Sequence, residues 1–218
     1  MRVNDGPSDA RPSFDSMEDQ HRELASEFVL VGKRTALGPL RLDLAPRYAR
    51  WLNSAEVRPG VLFSGLLTLE AEEAFVQRAS KRSSAFSPEA VYFTIYDLAE
   101  VAPIGVTSLE KIDHQHGRAE LGIVLGERRG QGHGSEATRL VLDWGFHVLG
   151  LRNVLLEAFS WNVAALAAYE RAGFREAGRR RGALLSMGRR CDGVLMDAVP
   201  DDFESPVLGA LVPEPLRR

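Results

Sequence analysis

Glu127-Arg128-Arg129-Gly130-Gln131-Gly132-His133-Gly134-Ser135-Glu136-Ala137 is the stretch on which the reading of this 218-residue chain turns. Before it, residues 119–125 read as a strand. After it, Ala137, Leu140, Val141, Trp144 and Val148 recur at the spacing of one helical face. A helix start leaves about four backbone N–H groups without helical partners. It also carries the positive end of the helix dipole, so anions dock there when the backbone can come close. Glycines at 130, 132 and 134 remove the Cβ atoms that would hold a ligand away, and Arg128 and Arg129 add positive charge. The turn therefore suits a phosphorylated ligand. A Walker A loop wants Gly-Lys-Ser/Thr where this chain has Gly132-His133-Gly134-Ser135. A dinucleotide fingerprint fits Gly130 and Gly132 but finds Ser135 in the third glycine's place, and the turn follows three strands joined by short turns instead of a βαβ unit. A turn that merely connects is the bland alternative.

A second patterned segment lies one helix and one strand downstream. Asn162-Val163-Ala164-Ala165-Leu166-Ala167-Ala168-Tyr169-Glu170-Arg171-Ala172-Gly173-Phe174 follows a strand-like run at 154–161, and Gly173 is a natural helix stop. The arrangement Arg129-x-x-Gly132-x-Gly134 resembles the pyrophosphate signature of the GNAT superfamily of acetyltransferases. Asn162-x-x-Ala165-x-x-x-Tyr169-Glu170-Arg171-x-Gly173-Phe174 is similar to that superfamily's other cofactor-facing element. The resemblance extends from about residue 29 to 199 and is nearest the RimJ/RimL-like group. The tract 118–174 and the ending Asp192-Gly193-Val194-Leu195-Met196-Asp197 carry most of it.

The rest of the chain agrees with an α+β architecture around one sheet. Residues 28–40 read as a first strand broken at Gly38-Pro39, and 45–53 as a short helix. Residues 69–80 form a better helix, with Thr68 as its cap and Glu70, Glu72 and Glu73 where the dipole favours anions. Strands are expected at 91–96, 101–109 and 119–125, with turns at 97–100 and 114–117. Two final strands, 174–182 and 193–199, are joined by a basic loop. The resemblance implies the GNAT fold: a single mixed, mostly antiparallel sheet of about seven strands flanked by helices and splayed between the fourth and fifth strands. Residues 1–27, with Pro7, Pro12 and an excess of acids, read as a polar extension outside the domain at 28–203; 204–218, with three prolines, reads as a C-terminal tail.

Bulk properties exclude several classes. A net charge of −3 is not the footprint of a nucleic-acid binder. No run approaches the roughly 18 apolar residues of a membrane span, and the N-terminus lacks the apolar centre of a signal peptide. The expectation is a cytoplasmic protein without membrane or nucleic-acid partners. The single cysteine, Cys191, forms neither an internal disulfide nor a metal cluster, and no metal is expected.

The resemblance also implies roles residue by residue. The backbone of Ile123, Val124 and Leu125 pairs with the pantetheine arm of acetyl-CoA, the co-substrate. Arg129, Gly130, Gln131, Gly132, His133, Gly134 and Ser135 cradle the pyrophosphate. Asn162 bonds the pantetheine chain and holds the splay open, Ala165 lies on the same cofactor-facing element, and Tyr169 sits near the sulfur. The partner substrate is an amine: a protein N-terminus, an aminoglycoside, a polyamine or a natural-product amine. A homodimer is an option the resemblance leaves open. Chemically, an ammonium with a pKa of about 10.4 (lysine) or about 7.7–8.0 (α-amine) must first lose a proton. Glu120, on the strand leading into the turn, is the first carboxylate expected to take it, ahead of Glu110, Asp113 and Glu157. Backbone N–H groups near Val124 and Leu125 are placed to stabilise the oxyanion, and Tyr169 to give a proton to the leaving thiolate. A non-catalytic acetyl-CoA-binding module is the alternative.

Overall fold

The computed structural model describes residues 25–63 and 65–216. Eight strands form one sheet: β1 (Leu30–Val31), β2 (Thr35–Pro39), β3 (Val91–Asp97), β4 (Ala102–Asp113), β5 (Arg118–Leu125), β6 (Asn153–Phe159), β7 (Arg175–Ser186) and β8 (Arg189–Ala198). The helices are α1 (Ala45–Asn53), α2 (Leu69–Ser83), α3 (His133–His147) and α4 (Val163–Ala172). The spatial order is β1-β2-β3-β4-β5-β6-β8-β7, and every neighbouring pair is antiparallel except β5–β6.

The parallel pair is short. Arg118, Ala119 and Glu120 register with Asn153, Val154 and Leu155, and the ladder stops there. Meanwhile β5 stays paired with β4 as far as Leu125, opposite Gly105. Residues 121–125 thus present an unpaired edge toward the diverging β6, which is the expected splay between the strands at 119–125 and 154–161.

Two layers of helices cover the sheet. Ala137, Leu140 and Val141 of α3 are fully buried in the main core with Leu109, Val154 and Met196. Tyr48 and Trp51 of α1 and Val76 of α2 form a second cluster, against which Val106 of β4 packs. Val148, expected on the buried face of α3, instead caps its end and is half exposed.

The structure corrects the sequence reading in four places. The run 28–40 is two strands, because Gly32-Lys33-Arg34 makes a turn in which the Gly32 N–H donates to the Thr35 carbonyl. Gly38-Pro39 is not a break: both residues pair with β3, and a Cβ at Gly38 would come within 3.1 Å of the Tyr96 ring. The basic loop at 183–192 is mostly strand, with Leu184–Ser186 opposite Arg189–Cys191 across a turn at Met187 and Gly188. Finally, residues 205–208 of the stretch read as a C-terminal tail are docked on α3. Fully buried Asp143 accepts from Ser205 Oγ (2.6 Å) and from the Val207 and Leu208 N–H groups. Residues 1–24 of the proposed N-terminal extension lie outside the described residues. Among the described residues no helix is long and apolar enough to cross a membrane.

Candidate active site

A groove of about 540 Å³ runs along the splay. The unpaired edge Ile123, Val124 and Leu125 forms one wall, and Asn162, Ala165 and Tyr169 of α4 form the facing wall. The glycine-rich turn closes one end, contributing Arg129, Gly130, Gly132, Gly134 and Ser135. Of the turn residues expected to face a phosphate, Gln131 and His133 do not line the groove. Gln131 offers its carbonyl to Arg34 Nη1 (2.9 Å). His133 is buried, with Nδ1 3.0 Å from Thr35 Oγ1.

The turn's shape depends on two glycines in left-handed conformations, Gly130 (φ 78°) and Gly132 (φ 89°), the second being the N-cap of α3. Other residues adopt this region at a cost of roughly 1–2 kcal/mol. The β1–β2 hairpin braces the turn from behind. The carboxylate of Glu136, in the first turn of α3, accepts from the Lys33 N–H (2.6 Å) and the Arg34 N–H (3.2 Å). These braces fix the bared N–H groups at the helix start without spending them.

The two arginines of the turn part company. Arg128, itself at φ 52°, points toward the β3–β4 hairpin, where Nε lies 3.2 Å from the buried Asp97 carboxylate and Nη2 pairs with Glu100. Arg129 lines the groove, and its guanidinium donates to Glu56 Oε2 (2.7 Å) and to the Glu56 carbonyl (2.8 Å). Of the two turn arginines, only Arg129 faces the groove.

Asn162 caps α4: its Oδ1 accepts from the Ala165 N–H (3.2 Å), while the side chain lines the groove. Tyr169 stands two turns along the same helix and packs edge-on against Phe174 (6.1 Å between centroids). Burial pushes its phenol up to about 12, so it holds its proton throughout the neutral range.

The expected carboxylates distribute differently from the sequence reading. Glu120 lines neither cavity: it is half exposed and bound to Lys111 Nζ at 2.8 Å. Asp113 is engaged by His116 and Arg118, and hydrogen bonds from His116 hold its carboxyl down to about 2, which makes it a poor proton acceptor. Glu157 is held by Arg180 Nη1 (3.1 Å). Glu110 lines a second, smaller cavity of about 180 Å³, as does Glu72 of α2. The two cavities share Ile123 and Val124.

Its place in the first turn of α2 suggests only a dipole role for Glu72. Glu72, Val76 and Ala79 are the buried positions of α2, so the glutamate occupies a core register at i, i+4 and i+7. That apolar spacing was the signal that could have found it.

A glycine-lined helix start, an open strand edge and a protonated phenol thus share one groove. The Acetyltransferase (GNAT) domain family model matches residues 34–175, and the chain belongs to that family. Spermidine N(1)-acetyltransferase of Escherichia coli K12 is 36% identical over 75 residues, covering 34% of this chain and 40% of that protein. The uncharacterized N-acetyltransferase p20 of Bacillus licheniformis is 31% identical over 101 residues, covering 46% and 57%. The matched stretch thus spans less than two thirds of either relative. Among solved structures, spermidine N-acetyltransferase from Vibrio cholerae in complex with CoA and spermine superposes with a TM-score of 0.70 at 21% identity, over 78% of this chain and 97% of that one. Mycobacterium smegmatis RimJ in complex with CoA-disulfide gives 0.70 at 20% identity, over 81% and 88%. At these identities the superpositions establish the shared fold.

Proposed function

We propose that the protein is an acetyl-CoA-dependent N-acetyltransferase that moves the acetyl group to a primary amine by direct attack in a ternary complex. The observation that carries this reading is the groove itself, lined by the glycine-rich turn, the unpaired edge of β5 and Tyr169.

Each part of acetyl-CoA has a counterpart. The N–H groups bared at residues 130–135 receive the diphosphate, and Arg129 exchanges Glu56 for a phosphate oxygen. The free edge at Ile123–Leu125 accepts the amides of the pantetheine arm as an added strand does. The Asn162 amide supplies a further donor beside it.

The neutral amine attacks the thioester carbon, forming the C–N bond as the C–S bond breaks. Backbone N–H groups of the open edge stabilise the oxyanion. Tyr169 gives its proton to the departing thiolate, and the surplus proton of the acylated nitrogen restores the phenol through solvent. With a thiol reference of about 8.5, a phenol near 12 gives up its proton uphill, so much of its benefit is the hydrogen bond it donates as charge develops on sulfur. Thiol release from acetyl-CoA, followed with a panel of primary amines, tests the reading. Turnover with at least one amine supports it, and tight acetyl-CoA binding with no turnover favours the non-catalytic binding module.

A further inference from the structure

The second cavity lies against the same strand as the groove, meeting it at Ile123 and Val124. Its walls are mostly apolar: Leu52, Phe75, Tyr92 and Val106 line it, and the Phe75 and Tyr92 rings meet edge-on at 5.3 Å. Two carboxylates enter it. Glu110 accepts from Ser108 Oγ at 2.8 Å. Glu72 is 4% exposed, and among the described residues its carboxylate has no hydrogen bond or ion pair. No lysine or arginine lines the cavity among the described residues.

A buried carboxylate with no partner is costly, and folds retain one where a ligand supplies the missing charge. The surroundings sharpen this. Glu120, Glu157 and Asp113 are each engaged by a cation and line neither cavity, so none of them is a spare base for the groove. A bulge in β4, with Lys111 at φ 51°, interrupts the ladder just after Glu110 and sends Lys111 out to Glu120 instead of into the cavity.

We propose that this cavity is the acceptor site and that it selects a primary amine carried on an apolar arm, with Glu110 pairing the ammonium and Glu72 taking its proton. The proposal rests on the acetyltransferase reading above and adds the substrate class and the base. Charge accounting supports a single ammonium: Glu110 balances it, Glu72 leaves the exchange neutral, and the aryl and alkyl walls take the arm. The transfer balances: the ammonium proton moves to a Glu72 oxygen, the freed lone pair reaches the thioester carbon across the Ile123–Val124 edge, and the thiolate leaves beside Tyr169.

The test is steady-state thiol release with 2-phenylethylamine, spermidine and a short peptide bearing a free N-terminus, with CoA affinity measured in parallel by calorimetry. The expected kcat/KM for 2-phenylethylamine exceeds that for spermidine and for the peptide by about tenfold or more. On that amine, Glu72→Gln lowers kcat by about a hundredfold with little change in KM, and Glu110→Gln raises KM by about tenfold. Both variants keep wild-type CoA affinity. Wild-type kinetics in both Glu72→Gln and Glu110→Gln, with thiol release intact, would overturn the site while leaving the acetyltransferase reading standing. A preference for spermidine or the peptide overturns the substrate class. Silence with every amine overturns the underlying reading and the site with it.

Discussion

Consider Glu72→Gln as a change in stability, apart from its effect on turnover. Glu72 is almost wholly buried, and burial alone pushes its carboxyl from an ordinary 4.5 up to about 7. A group whose folded pKa lies above its unfolded one contributes fully below the unfolded value and loses that contribution as pH rises. Here the loss begins near pH 4.5 and levels off beyond about pH 7. At about 1.36 kcal/mol per pH unit, the interval amounts to about 3 kcal/mol. About 2.5 kcal/mol of it falls between pH 5 and pH 8. Glutamine fills the same space and does not titrate, so the variant's advantage over wild type grows by that amount across the range. For a chain of this size each kcal/mol moves Tm by roughly 2–4 °C, so the gap widens by about 5–10 °C. Thermal melts of both proteins at pH 5 and pH 8 read it directly. A difference that stays constant with pH, or a variant that melts below wild type at pH 8, refutes the claim that an unpaired carboxylate is buried there. A more stable but less active variant is the usual signature of a residue kept for function.

Three further outcomes follow from the geometry. Tyr169→Phe lowers kcat by about a hundredfold while leaving CoA affinity unchanged, measured by thiol release and calorimetry. Gly132→Ala forces a Cβ into a left-handed position 3.2 Å from the Arg34 guanidinium, and it weakens CoA binding by about tenfold through a strain of roughly 1–2 kcal/mol. Asp143→Ala removes the acceptor for Ser205, Val207 and Leu208, destabilises the fold by about 1–3 kcal/mol and opens residues 204–211 to limited proteolysis while acetyl-CoA binding persists.

The phosphate turn and α4 were legible because their signals are local. Alternate glycines before an apolar helical face fix the strand-to-helix turn, and α4 begins at Asn162 and ends at Gly173 where the residue chemistry says it should. The splay was legible through family resemblance, since nothing in residues 119–125 alone says that pairing stops after Glu120. What escaped depends on contacts distant in sequence. The buried position of Glu72 shows only in its spacing with Val76 and Ala79, and its cavity is completed by strands 20 to 50 residues downstream. Glu120 and Glu110 sit opposite each other across β4–β5, and only the bulge at Lys111 decides which one acquires a cation. Arg128 looked equivalent to Arg129 until the β3–β4 hairpin claimed it through Asp97 and Glu100. The C-terminal prolines suggested a free tail, and the buried carboxylate that holds this segment lies more than sixty residues earlier.

Every step proposed above requires a thioester carrier lying between the open edge of β5 and the start of α3. Calorimetric titration of the purified chain with acetyl-CoA tests this most directly. The predicted result is one site per chain with a dissociation constant in the micromolar range, about −8 kcal/mol, weakened by Gly132→Ala and by Arg129→Ala. A folded protein that takes up no acetyl-CoA, or one whose affinity ignores both substitutions, contradicts it.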